Sequence, residues 1–437
     1  MNKYIQLLLL VSFFASSSLC HAAITDDLSR DAYIYAYSMD EAYKQFYETT
    51  VNADYPLNRF QNIRVLADDS YTAHPTINND TLHLMGWLDV AAEPVIVSVP
   101  DTDEERYWML HTMDLAHYTN AMIGSRIRGN KGGQFMFASK SWQGDVPETV
   151  DEVISVDTNI IKLMGRIMAA GSEDTKIAQS VMDQWNIRTL SEYVGQNGPK
   201  PMVRTYPDPN NCSWLERVNF VLCDGSLGET DKDWLEKYKQ IGLEPCKTTF
   251  TSEQLAAAQT GRKRGLKQIQ ELAPTVTDAR LVLGTRDILG DGDRVLFSVG
   301  TLMGQWGLPP AEAAYRKAQA DNNGKPLDGN NQYTMRFKAP DVSEFWSVTV
   351  YAADNMLMAA NPLNRHSRGD RTLTPDDQGY YSVMLSSDSN KYGEKENFLP
   401  VPDKEFYLIM RLYGPSEEIQ SGKYEMPTVI KIIAENF

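Results

Sequence analysis

Residues 78–114, NNDTLHLMGWLDVAAEPVIVSVPDTDEERYWMLHTMD, constrain this chain more than any other stretch. Residues 81–87 mix apolar and polar side chains, 94–99 are almost continuously apolar, and 106–114 alternate. An unbroken apolar run of that length is a strand covered on both faces, and strict alternation is a strand with two different faces. Trp108, Leu110, Thr112 and Asp114 therefore share one face of the third run, and Tyr107, Met109, His111 and Met113 share the other. Pro100-Asp101 breaks the chain between the second and third runs, so the stretch reads as a meander of antiparallel strands.

The same stretch is dense in groups that carry chemistry. Asn78-Asn79-Asp80 stands at a strand entry, where such side chains fix turns by bonding nearby backbone. Pointed into a pocket instead, Asn78 and Asp80 join His83 and Asp114 as ligand-binding candidates. Asp80, His83, His111 and Asp114 are the candidates for acid and base work, because His83 and His111 can meet across neighbouring strands. Against this stands the plain alternative that a single strand histidine is a satisfied structural residue. Arg126 and Arg365 complete the candidate set, each offering a planar fork of donors to an anionic group.

Familiar catalytic signatures are missing. The chain has no G-x-S-x-G, no H-E-x-x-H, no Walker loop and no Rossmann glycine fingerprint. Gly124, Gly129, Gly132 and Gly133 lack the lysine and the following helix of a phosphate loop and read as turn formers at sheet corners. No metal site is assigned, since no histidine lies near the later cysteines and no C-x-x-C occurs.

The N-terminus has a charged start at Lys3, an apolar core through Phe14 and small residues ending at Ala22, the pattern of a cleaved secretory signal over residues 1–22. The 437 residues less those 22 leave 415, enough for two or three domains. Net charge is −16, and −17 once Lys3 is removed. An acidic surface disfavours nucleic acid and anionic membranes, and the signal's run is too short for a membrane span. The expected location is periplasmic or secreted. There, two of Cys212, Cys223 and Cys246 can pair, with Cys212 joined to Cys223 or to Cys246.

Along the chain, Thr25-Asp26-Asp27 opens a tyrosine-rich helix. Residues 160–168 form an apolar run interrupted by Arg166, whose charge predicts a carboxylate partner. Residues 195–211, rich in Gly, Pro and Asn, read as a linker. Thr251 with Gln254 is a capping box before a long helix. A further helix is expected over 294–305, and Pro309-Pro310 predicts another ending near Ala320. Alternating runs then return at 333–337, 345–351, 380–385 and 406–412. The expected class is mainly β with α, two β-sandwich or jelly-roll-like domains over 23–194 and 321–437 joined by a helical connecting region over 195–320.

Several phrases together carry a family resemblance. N-x-D-T-L from Asn78, W-L-D at Trp87, E-P-V-I-V-S-V-P-D from Glu93, R-Y-W from Arg106, then Gly124 and Arg126, resemble domain of unknown function 1254. Phe345 to Tyr351, Asn364-Arg365-His366-Ser367, Asn397-Phe398-Leu399-Pro400 and Arg411 to Pro415 resemble its usual companion, domain of unknown function 1214. The resemblance implies two β-sandwich-like domains in a protein of an often exported kind, and it implies no established chemistry or cofactor. His83 and His366 stand where the family usually has Tyr, and Phe398 where it has Trp, so a ligand site here would have its own specificity. The expectation is an exported protein, with or without enzyme activity, that binds a small polar or carbohydrate-like ligand between its β-domains. The alternative is a structural module whose jelly rolls make homo-oligomeric contacts without catalysis.

Overall fold

The computed structural model describes residues 24–433, apart from 73–74, 104, 277–278, 291 and 394. The expected signal, residues 1–22, lies outside the described residues.

Nine strands build the first sandwich: β1 (Gln61–Ile63), β2 (Thr81–Asp89), β3 (Val95–Val99), β4 (Trp108–Asp114), β5 (Thr119–Gly124), β6 (Gly133–Ser139), β7 (Glu152–Val156), β8 (Ile160–Met168) and β9 (Asn186–Thr189). They form one sheet of order β1-β2-β8-β4-β5 and a second of order β7-β6-β3-β9. Alternation sends Leu82, Leu84, Leu110 and Leu163 of the first sheet inward against Val95, Val97, Phe135 and Phe137 of the second. The expected meander is corrected: β2 and β4 both flank β8, and β3 lies in the opposite sheet. Residues 90–94 carry no Asn-Gly or similar pair to fold β3 back beside β2, so the chain crosses over instead.

The second sandwich holds β10 (Ala313–Ala318), β11 (Tyr333–Lys338), β12 (Val342–Ala352), β13 (Ser367–Gly369), β14 (Tyr380–Ser386), β15 (Phe398–Pro400), β16 (Phe406–Pro415) and β17 (Val429–Lys431). Its sheets run β10-β16-β12-β13 and β15-β14-β11-β17. Trp346, Val348, Leu408, Met410 and Leu412 face Met335, Val383 and Leu385 across the core. The helix expected from Pro309 to Ala320 is instead β10, paired antiparallel with β16 from Ala313↔Tyr413 to Ala318↔Leu408. Sheet pairing overrides the helix preference of its alanines.

Between the sandwiches lie helices. α1 (Asp26–Phe46) is capped by Thr25 and buried on nearly every side. α2 (Ser125–Arg128) is a single turn where none was expected, ended by Gly129 at φ 60°. α3 (Ser172–Met182) and α4 (Leu190–Val194) edge the first sandwich, followed by α5 (Trp214–Cys223), α6 (Leu227–Thr230), α7 (Lys232–Tyr238), α8 (Ser252–Leu272), α9 (Arg286–Leu289) and α10 (Arg294–Gly304). α8 begins at the Thr251–Gln254 capping box. Tyr33, Tyr43 and Phe46 of α1 share one apolar cluster with Trp214, Leu215 and Val218 of α5, and Asp40 of α1 meets Arg217 of α5 at 2.6 Å. Gly261 of α8 lets the two long helices touch, since a Cβ there would stand 2.1 Å from the Ser29 carbonyl oxygen.

The disulfide joins Cys223 to Cys246, with Cα atoms 5.0 Å apart, and leaves Cys212 free. Neither expected pairing of Cys212 forms. Cys212 sits before the start of α5 and Cys223 at its end, about 15 Å away along a ten-residue helix.

Candidate functional site

The outer face of sheet β1-β2-β8-β4-β5 is where the three parts of the molecule meet. Strand register puts side chains there in rows: His83, Arg166 and Met109; then Met85, Met164, His111 and Met122; then Trp87, Lys162 and Met113. Tyr107, Met109 and Met168 at one end pack on Leu308, Ala313, Phe345 and Tyr413 beside and within the second sandwich. Trp87, Met113 and Met164 at the other end join the helical core. Between them His83, Met85, Arg166 and Met122 are only half covered, although their strand neighbours Leu82, Leu84 and Ile167 are sealed. Met109, His111, Met164 and Lys162 beside them are buried, so the outer face is covered over most of its area and keeps partial exposure at these four positions.

Positive charge stands along that strand. Arg166 was expected to have a carboxylate partner and has none within ion-pair distance among the described residues; its Nε has no hydrogen-bond partner. Burial opposes its charge, the ring hydroxyls of Tyr413, Tyr315 and Tyr107 favour it, the like-charged Arg411 opposes it, and Asp80 interacts with it at longer range. Lys162, four residues away on the same face, places its Nζ 4.7 Å from the centre of the Trp87 ring, and burial alone pushes its pKa down to about 8. Arg411 is sealed at the junction, donating to Thr349 Oγ1 at 2.9 Å, the Thr76 carbonyl at 2.8 Å and Tyr351 Oη at 2.8 Å. None of the three makes an ion pair at contact distance among the described residues, and Asp80 is the carboxylate that acts on Arg166 and Arg411 from further off. Interiors rarely keep cations on those terms, since removing a charge from water costs several kcal/mol, of order, unless an anion or good donors and acceptors compensate.

The structure brings some expected residues together here and takes others away. Asn78 turns its Oδ1 to the Asp80 and Thr81 amides, at 2.6 and 3.0 Å, and its Nδ2 to Tyr413 Oη. Asp80 accepts from Ser347 Oγ of the second sandwich at 2.8 Å. Burial raises its pKa, and Arg411, Ser347, Ser367 and Arg166 oppose the rise. His83 and His111 line the outer face, each held down to about 3 by burial and then by Arg166, so both are neutral imidazoles. His111 Nε2 lies 3.1 Å from Thr119 Oγ1, and its Nδ1 has no partner.

Asp114 lies elsewhere. It shares the inward face with Leu110, pairs with Ile161 five residues along from the Arg166 row, roughly 16 Å away, and binds the Tyr118 amide at 2.9 Å to close the β4–β5 turn. Burial pushes it up to about 6. Asp80 and Asp114 therefore form no carboxylate pair. Arg126 is tied to Glu312 at 2.8 Å, the same carboxylate that accepts from Tyr107 Oη at 2.8 Å, and so joins the sandwiches. Arg365 donates to the Phe398 carbonyl at 3.1 Å, within the second sandwich. The residues that sequence reasoning missed are Lys162 and Arg411. The signal for Lys162 was present, a second cation four residues before Arg166 in an apolar strand. Nothing local marked Arg411, whose partners come from residues 76, 349 and 351.

Comparison with known proteins agrees with this architecture. Residues 57–189 match the family described as "Protein of unknown function (DUF1254)" and residues 312–417 that described as "Protein of unknown function (DUF1214)". The solved VPA0106 protein from Vibrio parahaemolyticus is 63% identical, with a TM-score of 0.87 over 93% of this chain and 100% of that one. This chain belongs to the DUF1254–DUF1214 family. An uncharacterized protein from Burkholderia cenocepacia aligns at 12% identity with a TM-score of 0.44, over 92% of this chain and 88% of that one. None of the curated proteins compared matches the chain. Among the described residues no helix is long and apolar enough to cross a membrane, and no group of three His, Cys, Asp or Glu side chains is placed to hold a metal.

Proposed function

We propose that this DUF1254–DUF1214 protein is an exported binding protein for a small anionic ligand, of the size and polarity of an acidic sugar or organic acid, seated against Arg166 and His83 on the outer face of β2 and β8. The observation that carries the reading is Arg166, a half-buried cation in an acidic protein, without a carboxylate at ion-pair distance among the described residues. A carboxylate or phosphate oxygen laid against its guanidinium would make charge-assisted hydrogen bonds and supply the missing counter-charge. Neutral His83 beside it offers a hydrogen bond or a proton acceptor to the same ligand. Met85 and Met122 beside it give adaptable apolar contacts. Export is supported by the N-terminal signal pattern and fits the Cys223–Cys246 bridge.

Thermal melts of the mature protein with glucuronate, citrate, inorganic phosphate and glucose test the proposal. At least one of the three anions is expected to raise Tm by several degrees in a saturable way, glucose to do less, and Arg166→Met to abolish the gain. Equal shifts in wild type and Arg166→Met, or no shift with any anion, would remove the reading.

A further inference from the structure

A cavity lies far from Arg166. Its volume is about 560 Å³, and it opens where residues 90–93, the loop after β6 and the linker before α5 come together. Val90 is seven residues beyond His83 on the same strand line, roughly 23 Å away. Trp142, Phe220, Met202 and Val90 give it aromatic and aliphatic walls, and Cys223 of the disulfide lines it too. Arg204 and Asp224 form the polar side. Arg204 Nη2 lies 2.9 Å from Asp89 and 3.4 Å from Asp224, while its Nη1, on a side chain only 8% exposed, has no hydrogen-bond partner. Asp224 accepts from the Ile160 amide at 2.9 Å, and burial raises its pKa.

We infer that this cavity is a second small-molecule site, for a neutral or cationic ligand with a flat apolar ring, distinct in charge preference from the face of β8 at Arg166. Volume and lining fit: small-molecule sites run to about 300–1,000 Å³ with mostly apolar walls and a few placed polar groups. Charge decides the class. Glu93 and Asp224 line the cavity with one cation, Arg204, which is itself paired with Asp89 outside the lining, so the local balance is negative. A carboxylate entering here would meet the buried Asp224 and the partly exposed Glu93, whereas an amidinium or amide would find acceptors, with the ring lying against Trp142 or Phe220.

Three isosteric probes separate these outcomes: benzamidine, benzamide and benzoate, titrated by calorimetry into the full mature protein. Benzamidine and benzamide are expected to bind, and benzoate at least tenfold more weakly. Ala92→Trp, which fills the mouth from an exposed loop position, is expected to weaken benzamidine at least tenfold without lowering Tm. Arg166→Met is expected to leave benzamidine binding unchanged, which keeps this site's test apart from that of the face at Arg166. The inference fails if benzoate binds as well as benzamidine, if none of the three binds at millimolar concentration, or if Ala92→Trp binds as wild type.

Discussion

Arg166 shows how one residue separates a structural reading from a functional one. An ion pair would have made it a piece of the sheet; its absence leaves a charge whose burial is offset by tyrosine hydroxyls and by Asp80 at longer range. Removing such a charge should therefore relieve the ligand-free fold. Arg166→Met is expected to melt at the wild-type temperature or a few degrees above it when no anion is present. A loss of several degrees would make Arg166 a structural brace. His111 makes a second prediction. Its folded pKa, down to about 3, lies below the ordinary histidine value, so the unfolded chain binds the extra proton between about pH 6.5 and 3 and stability falls as pH falls through that window. His111→Leu should gain on wild type there by on the order of 1 kcal/mol per pH unit, read from urea unfolding at pH 6.5, 5.5 and 4.5. A constant difference across the three pH values would contradict a buried neutral imidazole. Asp114 and Asp370, pushed up to about 6 by burial, act with the opposite sign, which is why the variant difference is the quantity to measure.

At the scale of elements, the alternation of 106–114 was enough to assign the two faces of β4, and it already placed Asp114 opposite His111. That separation was legible in the sequence, and it was the reason for Asp114's absence from the outer face. Strand order was not legible, because β8 reaches its place between β2 and β4 from far along the chain, and no local pattern encodes a pairing at that range. The helices were clearer where caps mark them, at Thr25 and Thr251, and misread at 309–320, where only edge pairing with β16 decides. The α1–α8 contact offers a test in which two effects compete. Gly261→Ala gains about 1 kcal/mol of helix propensity, but its Cβ would stand 2.1 Å from the Ser29 carbonyl oxygen and push α1 aside. Overpacking of that kind costs about 1–3 kcal/mol, so the variant should unfold at lower denaturant than wild type. A more stable Gly261→Ala would mean that the helices do not touch there.

For the molecule as a whole, composition and motif order were sufficient for a two-sandwich family member with helices between. They were silent on where the parts meet. The meeting place is made of residues far apart in sequence: Tyr107 with Glu312, Asp80 with Ser347, Arg411 with Thr76. The same junction leaves Arg166 and His83 partly exposed on one sheet, and this arrangement underlies the proposed function. A crystal soaked in sodium bromide and measured at the bromine edge tests it most directly. A strong anomalous peak within hydrogen-bond reach of the Arg166 guanidinium, on the outer face of β8, is the predicted result. Bromide scattered over surface lysines, with Arg166 met by a protein carboxylate instead, would contradict it.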